Sequence, residues 1–208
     1  MIGIFRGRFE VRYGYARYGY TRGNGKTWHG GLDIAALDDK TIYMPTYNGK
    51  KISGTVTRAR IVTDKSNKTW EWGYYVCVQL DDNQTPDAVN FLYFCHCSKL
   101  LVAVGQHVTS GDALAVMGNS GNAALANPPY EHCHLEVRST ATGKGLDPTA
   151  YAGVPNKAGT YGTQPTPAGG KLQTITIGPV SQGDADAVYA LAKQRGLTDA
   201  GLYKSEWV

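Results

Sequence analysis

His132-Cys133-His134-Leu135-Glu136-Val137 alternates polar and apolar residues with a period of two. Successive side chains of an extended strand point to opposite faces, so this alternation predicts a strand. His132, His134 and Glu136 then share one face, and the apolar side chains occupy the other. By itself a His-x-His pair is weak evidence for a metal site, because a short motif match is only a hypothesis.

A second group of candidate ligands lies upstream, in His29-Gly30-Gly31-Leu32-Asp33. Its two glycines disfavour a helix and favour extended backbone, in which residues four apart share a face. His29 and Asp33 can therefore converge on one point with the histidine pair. Two imidazoles and one carboxylate are typical of catalytic zinc, because three ligands leave a fourth position for water or substrate. These residues alone leave open whether His132 or His134 is the ligand.

Four segments carry a series of motifs in a fixed order. Residues 28–34 hold a His-x-Gly-x-Asp pattern, and residues 72–76 open a strand with glycine and aromatic residues. Residues 92–121 hold His96 after aromatic residues, followed by glycine turns between strand-like runs. The fourth segment is 132–137, with Asp147-Pro148 behind it. The similarity that these segments carry covers about residues 8–152. They resemble the lysostaphin and LytM type of zinc metalloendopeptidases, which cut peptide bonds in bacterial cell walls.

The resemblance implies a zinc ion, Zn²⁺, bound by His29, Asp33 and His134. It also implies that His96 and His132 are catalytic histidines that do not bind the metal. Bound zinc lowers the pKa of its water toward about 7 and polarises the scissile carbonyl. A neighbouring imidazole can take a proton from that water and hand one to the leaving amine. We therefore expect His132 and His96 to share the acid, base and oxyanion-stabilising roles.

Tyr20 is the candidate for a hydroxyl that assists at the tetrahedral intermediate, where preorganised donors lower the barrier. The reason is the resemblance, since some members of that family have a tyrosine at this offset before the first zinc histidine. The chain contains 14 tyrosines, so an ordinary aromatic in the wall of a groove is the alternative for Tyr20.

The implied function is hydrolysis of peptide bonds in bacterial peptidoglycan, in the stem peptide or the cross-bridge. One alternative is a catalytically inactive wall-binding or scaffold relative, but the metal and histidine positions named above are all filled. Another is a sugar-cleaving wall hydrolase, which would need paired carboxylates across a cleft. Glu131 and Glu136 lie beside the His-x-His pair, yet Glu136 shares its strand face and is placed to support a ligand.

The four cysteines and His107 are predicted to have structural rather than catalytic roles. Strand alternation predicts that Cys95, Cys97 and Cys133 point away from the site into an apolar layer, where free thiols behave as small hydrophobes. Cys77 fits the same description. The chain lacks a Cys-x-x-C pair, which argues against a second zinc site made of cysteines. His107 lies in a turn and is predicted to be solvated.

Composition and charge narrow the class of protein. The chain has 208 residues and a net charge of +4, which suits an anionic wall but falls far short of the basic patches of nucleic-acid binders. No run approaches the roughly eighteen apolar residues of a membrane helix. The amino terminus lacks the pattern of a secretory signal. These features predict a phage lysin or virion-associated hydrolase made in the cytoplasm, or else a secreted protein whose signal was removed.

Glycines and short β-type runs at regular spacing predict a mainly β protein. The expected zinc endopeptidase domain, an antiparallel sheet or sandwich, covers residues 1–152. Aromatic and arginine side chains before His29 and the loops 61–71 and 121–130 are expected to flank its cleft. Residues 153–170 are rich in proline and glycine, and this composition predicts a linker.

Residues 171–208 predict a small βαβ unit, with strands at 172–177 and 201–208 and a helix at 183–195. About 38 residues are few for an independent core. The unit is therefore expected to dock on the catalytic domain or to pair with another copy. It would serve as a wall-binding module or as the interface of a homodimer.

Overall fold

The structure is a computed structural model that describes residues 3–163 and 180–194. The chain divides into two compact units, Met1–Thr166 and Pro167–Val208. Strands make up most of the described part of the first unit. They are β1 (Phe9–Val11), β2 (Gly19–Arg22), β3 (Thr27–His29), β4 (Leu32–Ala36), β5 (Thr41–Tyr43), β6 (Thr46–Tyr47), β7 (Lys50–Lys51), β8 (Ser53–Ile61), β9 (Tyr74–Leu80), β10 (Phe91–Leu100), β11 (His107–Thr109), β12 (Ala113–Met117), β13 (Cys133–Arg138) and β14 (Gly159–Tyr161).

Helices are short in this unit. The described residues include 3₁₀ helices at Gly14–Ala16, Trp70–Trp72 and Gly121–Leu125 and an α-helix, α1, at Thr149–Ala152. Within the described residues, ten strands form one antiparallel sheet in the order β11-β8-β9-β10-β13-β4-β1-β14, with β12 pairing with β10 and β5. The prediction of a mainly β, antiparallel architecture is confirmed.

The central strands β4, β10 and β13 bury apolar side chains on one face and carry polar residues on the other. Leu32, Phe94 and Leu135 are fully buried in the main core. Each such side chain stabilises the fold by roughly 1.5–3 kcal/mol relative to an exposed one. Since this face is filled by packing, the opposite face of the same three strands is free to carry a site.

A second, smaller cluster lies on that opposite face. It is formed around Tyr75, Cys77, Tyr93 and Cys95, with Trp72 packed against it. The Arg138 guanidinium carbon lies 4.9 Å from the ring centroids of both Trp72 and Tyr93. This cluster packs on the face of the sheet that carries the polar residues of β13 and stabilises it.

The sheet extends into the segment predicted as a linker. Residues 159–161 form β14, which pairs antiparallel with β1, and Val154 is buried in the main core. The sequence prediction of a linker from residue 153 onward therefore differs from the structure at its start. Thr160 and Tyr161 favour strand structure, and they add an edge strand to the sheet.

In the second unit, the structure describes the helix α2 at Gln182–Gln194, where the sequence predicted a helix at 183–195. Ser181 caps it, because its hydroxyl accepts the Asp184 backbone N–H at 3.3 Å and donates to the Asp184 carboxylate at 2.6 Å. The predicted strands 172–177 and 201–208 lie outside the described residues. No helix among the described residues is both long and apolar enough to cross a membrane.

Candidate metal centre and active site

Strand register brings two of the predicted ligands side by side. Asp33 on β4 pairs directly with His134 on β13, and His134 pairs with Cys95 on β10. Directly opposed residues of an antiparallel pair point to the same face. His29 reaches the same place from the end of β3, four residues before Asp33. The side chains of His29, Asp33 and His134 are all buried.

The three candidate ligand atoms meet at one point. The Asp33 Oδ1 atom lies 2.8 Å from His134 Nδ1 and 3.3 Å from His29 Nε2, and the two nitrogen atoms are 3.1 Å apart. Ligands bound to a tetrahedral zinc ion at about 2.0–2.1 Å would be about 3.3 Å apart. The structure thus brings His29, Asp33 and His134 together in an arrangement that fits a zinc ion.

The far sides of the two rings have fixed partners. His29 Nδ1 donates to the backbone carbonyl of Arg17 at 2.8 Å, and His134 Nε2 lies 3.4 Å from Glu136 Oε2. Because a carbonyl or carboxylate oxygen accepts, the protons belong on these far nitrogens. His29 Nε2 and His134 Nδ1 are then the ring atoms that would bind a metal at the shared point. In the absence of a metal, His134 Nδ1 carries a second proton and donates it to Asp33 Oδ1 at 2.8 Å.

The carboxylate of Asp33 places a buried negative charge at this point. Burial opposes charge on Asp33, but hydrogen bonds with His134 and His29 outweigh it and hold the pKa of this carboxyl well below its usual range. Burial also lowers the pKa of His134, but hydrogen bonds with Asp33 and Glu136 raise it to about 9. The Arg22 Nη2 atom binds the second carboxylate oxygen of Asp33 at 2.9 Å, which leaves Oδ1 for the shared point.

His96 and His132 form a second pair next to the first group. Their ring centroids are 4.8 Å apart, and His132 Nε2 lies 3.8 Å from Asp33 Oδ1. Each Nδ1 donates to a backbone carbonyl, that of Ser120 for His96 at 2.9 Å and that of Tyr130 for His132 at 3.1 Å. Burial lowers the pKa of His132, and it lowers the pKa of His96 to about 3. Both rings are therefore neutral near pH 7, with Nε2 able to accept a proton.

His96 is placed by an irregularity in β10. The pairing of β10 with β9 shifts register between Phe94 and Cys97, and His96 has a φ of 64°. A non-glycine residue in this left-handed region is strained, and such residues occur often at functional sites. The extra residue turns the His96 side chain toward His132.

The same bulge corrects the sequence prediction for the cysteines. Cys97 and Cys133 lie in the main core as expected, but Cys95 and Cys77 lie in the small cluster on the opposite face, together with Tyr93. Cys95 and Cys97 would share a face in a regular strand, and the bulge places them on opposite faces. These three cysteines and Cys77 are buried free thiols.

A cavity of about 510 Å³ opens above the two groups of histidines. Its lining includes Asp33, His96, His132 and His134, together with Trp72 and, from the predicted flanking regions, Tyr13, Tyr15, Arg22, Glu71, Asn122, Leu125, Ala126, Asn127, Pro128 and Tyr130. The sequence indicated these regions by their aromatic content and by the position of their loops. It did not single out Arg22 or Tyr130, because neither belongs to a motif.

Two other residues discussed from sequence lie elsewhere. Tyr20 does not line the cavity. Its ring is 64 % exposed and packs edge-on against Trp28 at a centroid distance of 5.0 Å. His107 is exposed and bound to Asp81 at 2.8 Å, as predicted for a solvated residue, but it begins strand β11 and does not lie in a turn.

Comparison with known proteins gave one family match and several solved structures. Residues 27–148 match the model of peptidase family M23. The catalytic domain of the prophage-encoded M23 protein EnpA from Enterococcus faecalis is 22 % identical, with a TM-score of 0.49, over 68 % of this chain and 91 % of that one. The catalytic domain of lysostaphin from Staphylococcus simulans is 20 % identical, with a TM-score of 0.48, over 68 % and 91 %. A putative M23 peptidase from Pseudomonas aeruginosa is 27 % identical, with a TM-score of 0.41, over 60 % and 44 %.

Proposed function

Because this chain belongs to peptidase family M23, we propose that it is a zinc-dependent endopeptidase that hydrolyses peptide bonds in bacterial peptidoglycan. The observation that carries the proposal is the meeting of His29 Nε2, Asp33 Oδ1 and His134 Nδ1 beneath an open cavity. Hydrogen bonds on the far side of both rings support it, since they direct His29 Nε2 and His134 Nδ1 toward the shared point, where a bound metal would take the place of the His134 Nδ1 proton.

A zinc ion held by these three atoms would supply Lewis acidity that activates a water molecule and polarises the scissile carbonyl. Next to it, His132 Nε2 is placed to take a proton, because its Nδ1 proton is engaged by the Tyr130 carbonyl. His96 Nε2 is free in the same way, because His96 Nδ1 donates to Ser120. We assign the proton transfers to these two atoms, which return a proton to the leaving amine.

The cavity offers contacts that suit a peptide. Tyr13, Tyr15 and Trp72 provide aromatic surface, and Arg22 and Glu71 provide charges of both signs. Peptides present amide dipoles, small side chains and charged termini, all of which such a lining can bind. The net charge of +4 favours approach to an anionic wall.

The test combines metal analysis with identification of the broken bond. Purified protein is expected to contain one zinc ion and to release peptidoglycan fragments with new amino termini, detected by mass spectrometry. Asp33→Ala is expected to lose both properties and to keep the circular dichroism spectrum of the wild type. New reducing sugar ends without new amino termini would contradict the proposal, as would an Asp33→Ala variant that clears a wall suspension at the wild-type rate.

A further inference from the structure

Tyr130 makes two contacts with His132, the proposed catalytic histidine whose Nε2 atom lies 3.8 Å from Asp33 Oδ1. Its ring is stacked on the imidazole, with centroids 4.4 Å apart and planes inclined by 16°. Its backbone carbonyl accepts the His132 Nδ1–H at 3.1 Å. The carbonyl sets which nitrogen carries the proton, and the ring sets the plane of the imidazole.

The plane of a histidine ring needs such a contact. The second side-chain torsion of histidine has broad minima, so the backbone of β13 does not fix the ring orientation by itself. A hydrogen bond through Nδ1 still permits rotation about the axis of that bond. A parallel ring at 4.4 Å restricts this rotation and keeps Nε2 on the side of the metal-binding point, 3.8 Å from Asp33 Oδ1.

The Tyr130 ring is itself held in place. Tyr13 contacts it edge-on at a centroid distance of 5.3 Å, and the Arg12 guanidinium carbon lies 4.9 Å from its centroid. Arg12 is in turn bound to Glu10 on β1 at 2.6 Å. The ring is only 6 % exposed. It can therefore hold His132 against a fixed part of the sheet.

The Tyr130 hydroxyl is not part of this support. Among the described residues it has no hydrogen-bond partner although it is buried. An unpaired buried hydroxyl costs about 1–3 kcal/mol, so its removal should not destabilise the fold. The ring and the hydroxyl can thus be tested separately, the hydroxyl by Tyr130→Phe and the ring by Tyr130→Leu.

We propose that Tyr130 is the positioning residue of this active site, and that its ring aligns His132 Nε2 for proton transfer. The inference rests on the proposed endopeptidase function. It concerns the aromatic ring and not a contact of the hydroxyl with substrate.

The experiment compares kcat and KM of the full-length, zinc-loaded protein with those of its Phe and Leu variants on a peptide substrate. Tyr130→Leu is expected to lower kcat about 10- to 100-fold with little change in KM, as for a misaligned catalytic group. Tyr130→Phe should keep kcat within about twofold of the wild type. Zinc content and melting temperature should show that both variants are folded and loaded.

Tyr15→Leu is the matched control, because Tyr15 lines the same cavity and its ring stacks on Tyr13 instead of Tyr130 or His132. It is expected to raise KM more than it lowers kcat. A folded Tyr130→Leu variant with wild-type kcat would overturn the inference, and so would a Tyr130→Phe variant as impaired as Tyr130→Leu. If the wild type itself cleaves no peptide, the proposed function fails, which is distinct from either outcome.

Discussion

Glu136 determines how His134 presents its nitrogen atoms. Its Oε2 atom faces His134 Nε2 at 3.4 Å, and its Oε1 atom accepts from Arg138 Nε at 2.9 Å. Burial raises the pKa of Glu136, but its hydrogen bond and charge interaction with His134 outweigh this and lower the pKa overall. The carboxylate therefore stays charged and holds the proton of His134 on Nε2, away from the metal-binding point.

Glu136→Gln tests this role at the level of one side chain. Glutamine keeps an acceptor oxygen but loses the charge, so zinc affinity should fall about 10- to 100-fold. Competition with a chromophoric chelator measures the change. Glu131→Gln is the control, because Glu131 is half-exposed and paired with Lys40; its zinc affinity should match the wild type. Equal affinities for all three proteins would refute this role.

Single residues differ in how far the sequence reveals them. The alternation at 132–137 was sufficient to place Glu136 on the face of His134. Tyr130 and Arg22 could not be found in this way, because their contacts with His132 and Asp33 depend on how separate strands and loops pack. The role of Tyr20 as a catalytic hydroxyl stays a prediction. In this structure its side chain is exposed and packs against Trp28.

At the scale of elements, the bulge in β10 gives the site its fourth histidine. His96 has a φ of 64°, where a residue with a Cβ atom pays about 1–2 kcal/mol. Ser120 supports the conformation from two sides, because its carbonyl accepts from His96 and its hydroxyl donates to the Cys97 carbonyl. The strained residue of this strand is thus the one that provides a proposed catalytic imidazole.

The strain can be measured with two variants that both lack the imidazole. Glycine tolerates this φ but loses about 0.5–1 kcal/mol through its greater freedom when unfolded. His96→Gly should therefore be more stable than His96→Ala by up to about 1 kcal/mol in urea unfolding. At Cys97, in ordinary strand backbone, the order should reverse, with Cys97→Gly less stable than Cys97→Ala. If the alanine variant were the more stable one at both positions, His96 would not be strained.

The bulge also explains where sequence reasoning failed on strands. A period of two predicts which residues share a face as long as the strand is regular, and it placed Asp33 and His134 correctly together. One extra residue reverses the faces beyond it. No glycine marks the bulge, so no residue type indicated it, and Cys95 was predicted to lie in the wrong layer.

At the scale of the whole molecule, all residues assigned to the site lie in the first unit. Its sheet runs to β14 at Gly159–Tyr161, later than the domain end predicted at residue 152. The sequence did not reveal this strand, because three residues among glycines and prolines read as a linker. The role of residues 171–208 in wall binding or dimerisation remains a prediction.

A chain ending at Thr166 tests whether the first unit binds zinc and cleaves peptides without the second unit. Because it keeps every ligand and the whole described sheet, it should bind zinc and cleave a soluble peptide at the wild-type rate. Pull-down with purified walls should show weaker binding if the removed unit is a wall-binding module. A lower oligomeric mass in sedimentation, with wall binding unchanged, would favour dimerisation instead. Loss of zinc on truncation would contradict a self-sufficient first unit.

Zinc K-edge X-ray absorption on the purified protein tests the metal centre most directly. Coordination by His29, Asp33 and His134 predicts a shell of nitrogen and oxygen atoms at about 2.0–2.1 Å, with imidazole scattering from two rings. Cys95 lies across the strands from His134, so sulfur coordination is the alternative that must be distinguished. A sulfur shell at about 2.3 Å, or a protein that retains no zinc, would contradict the account.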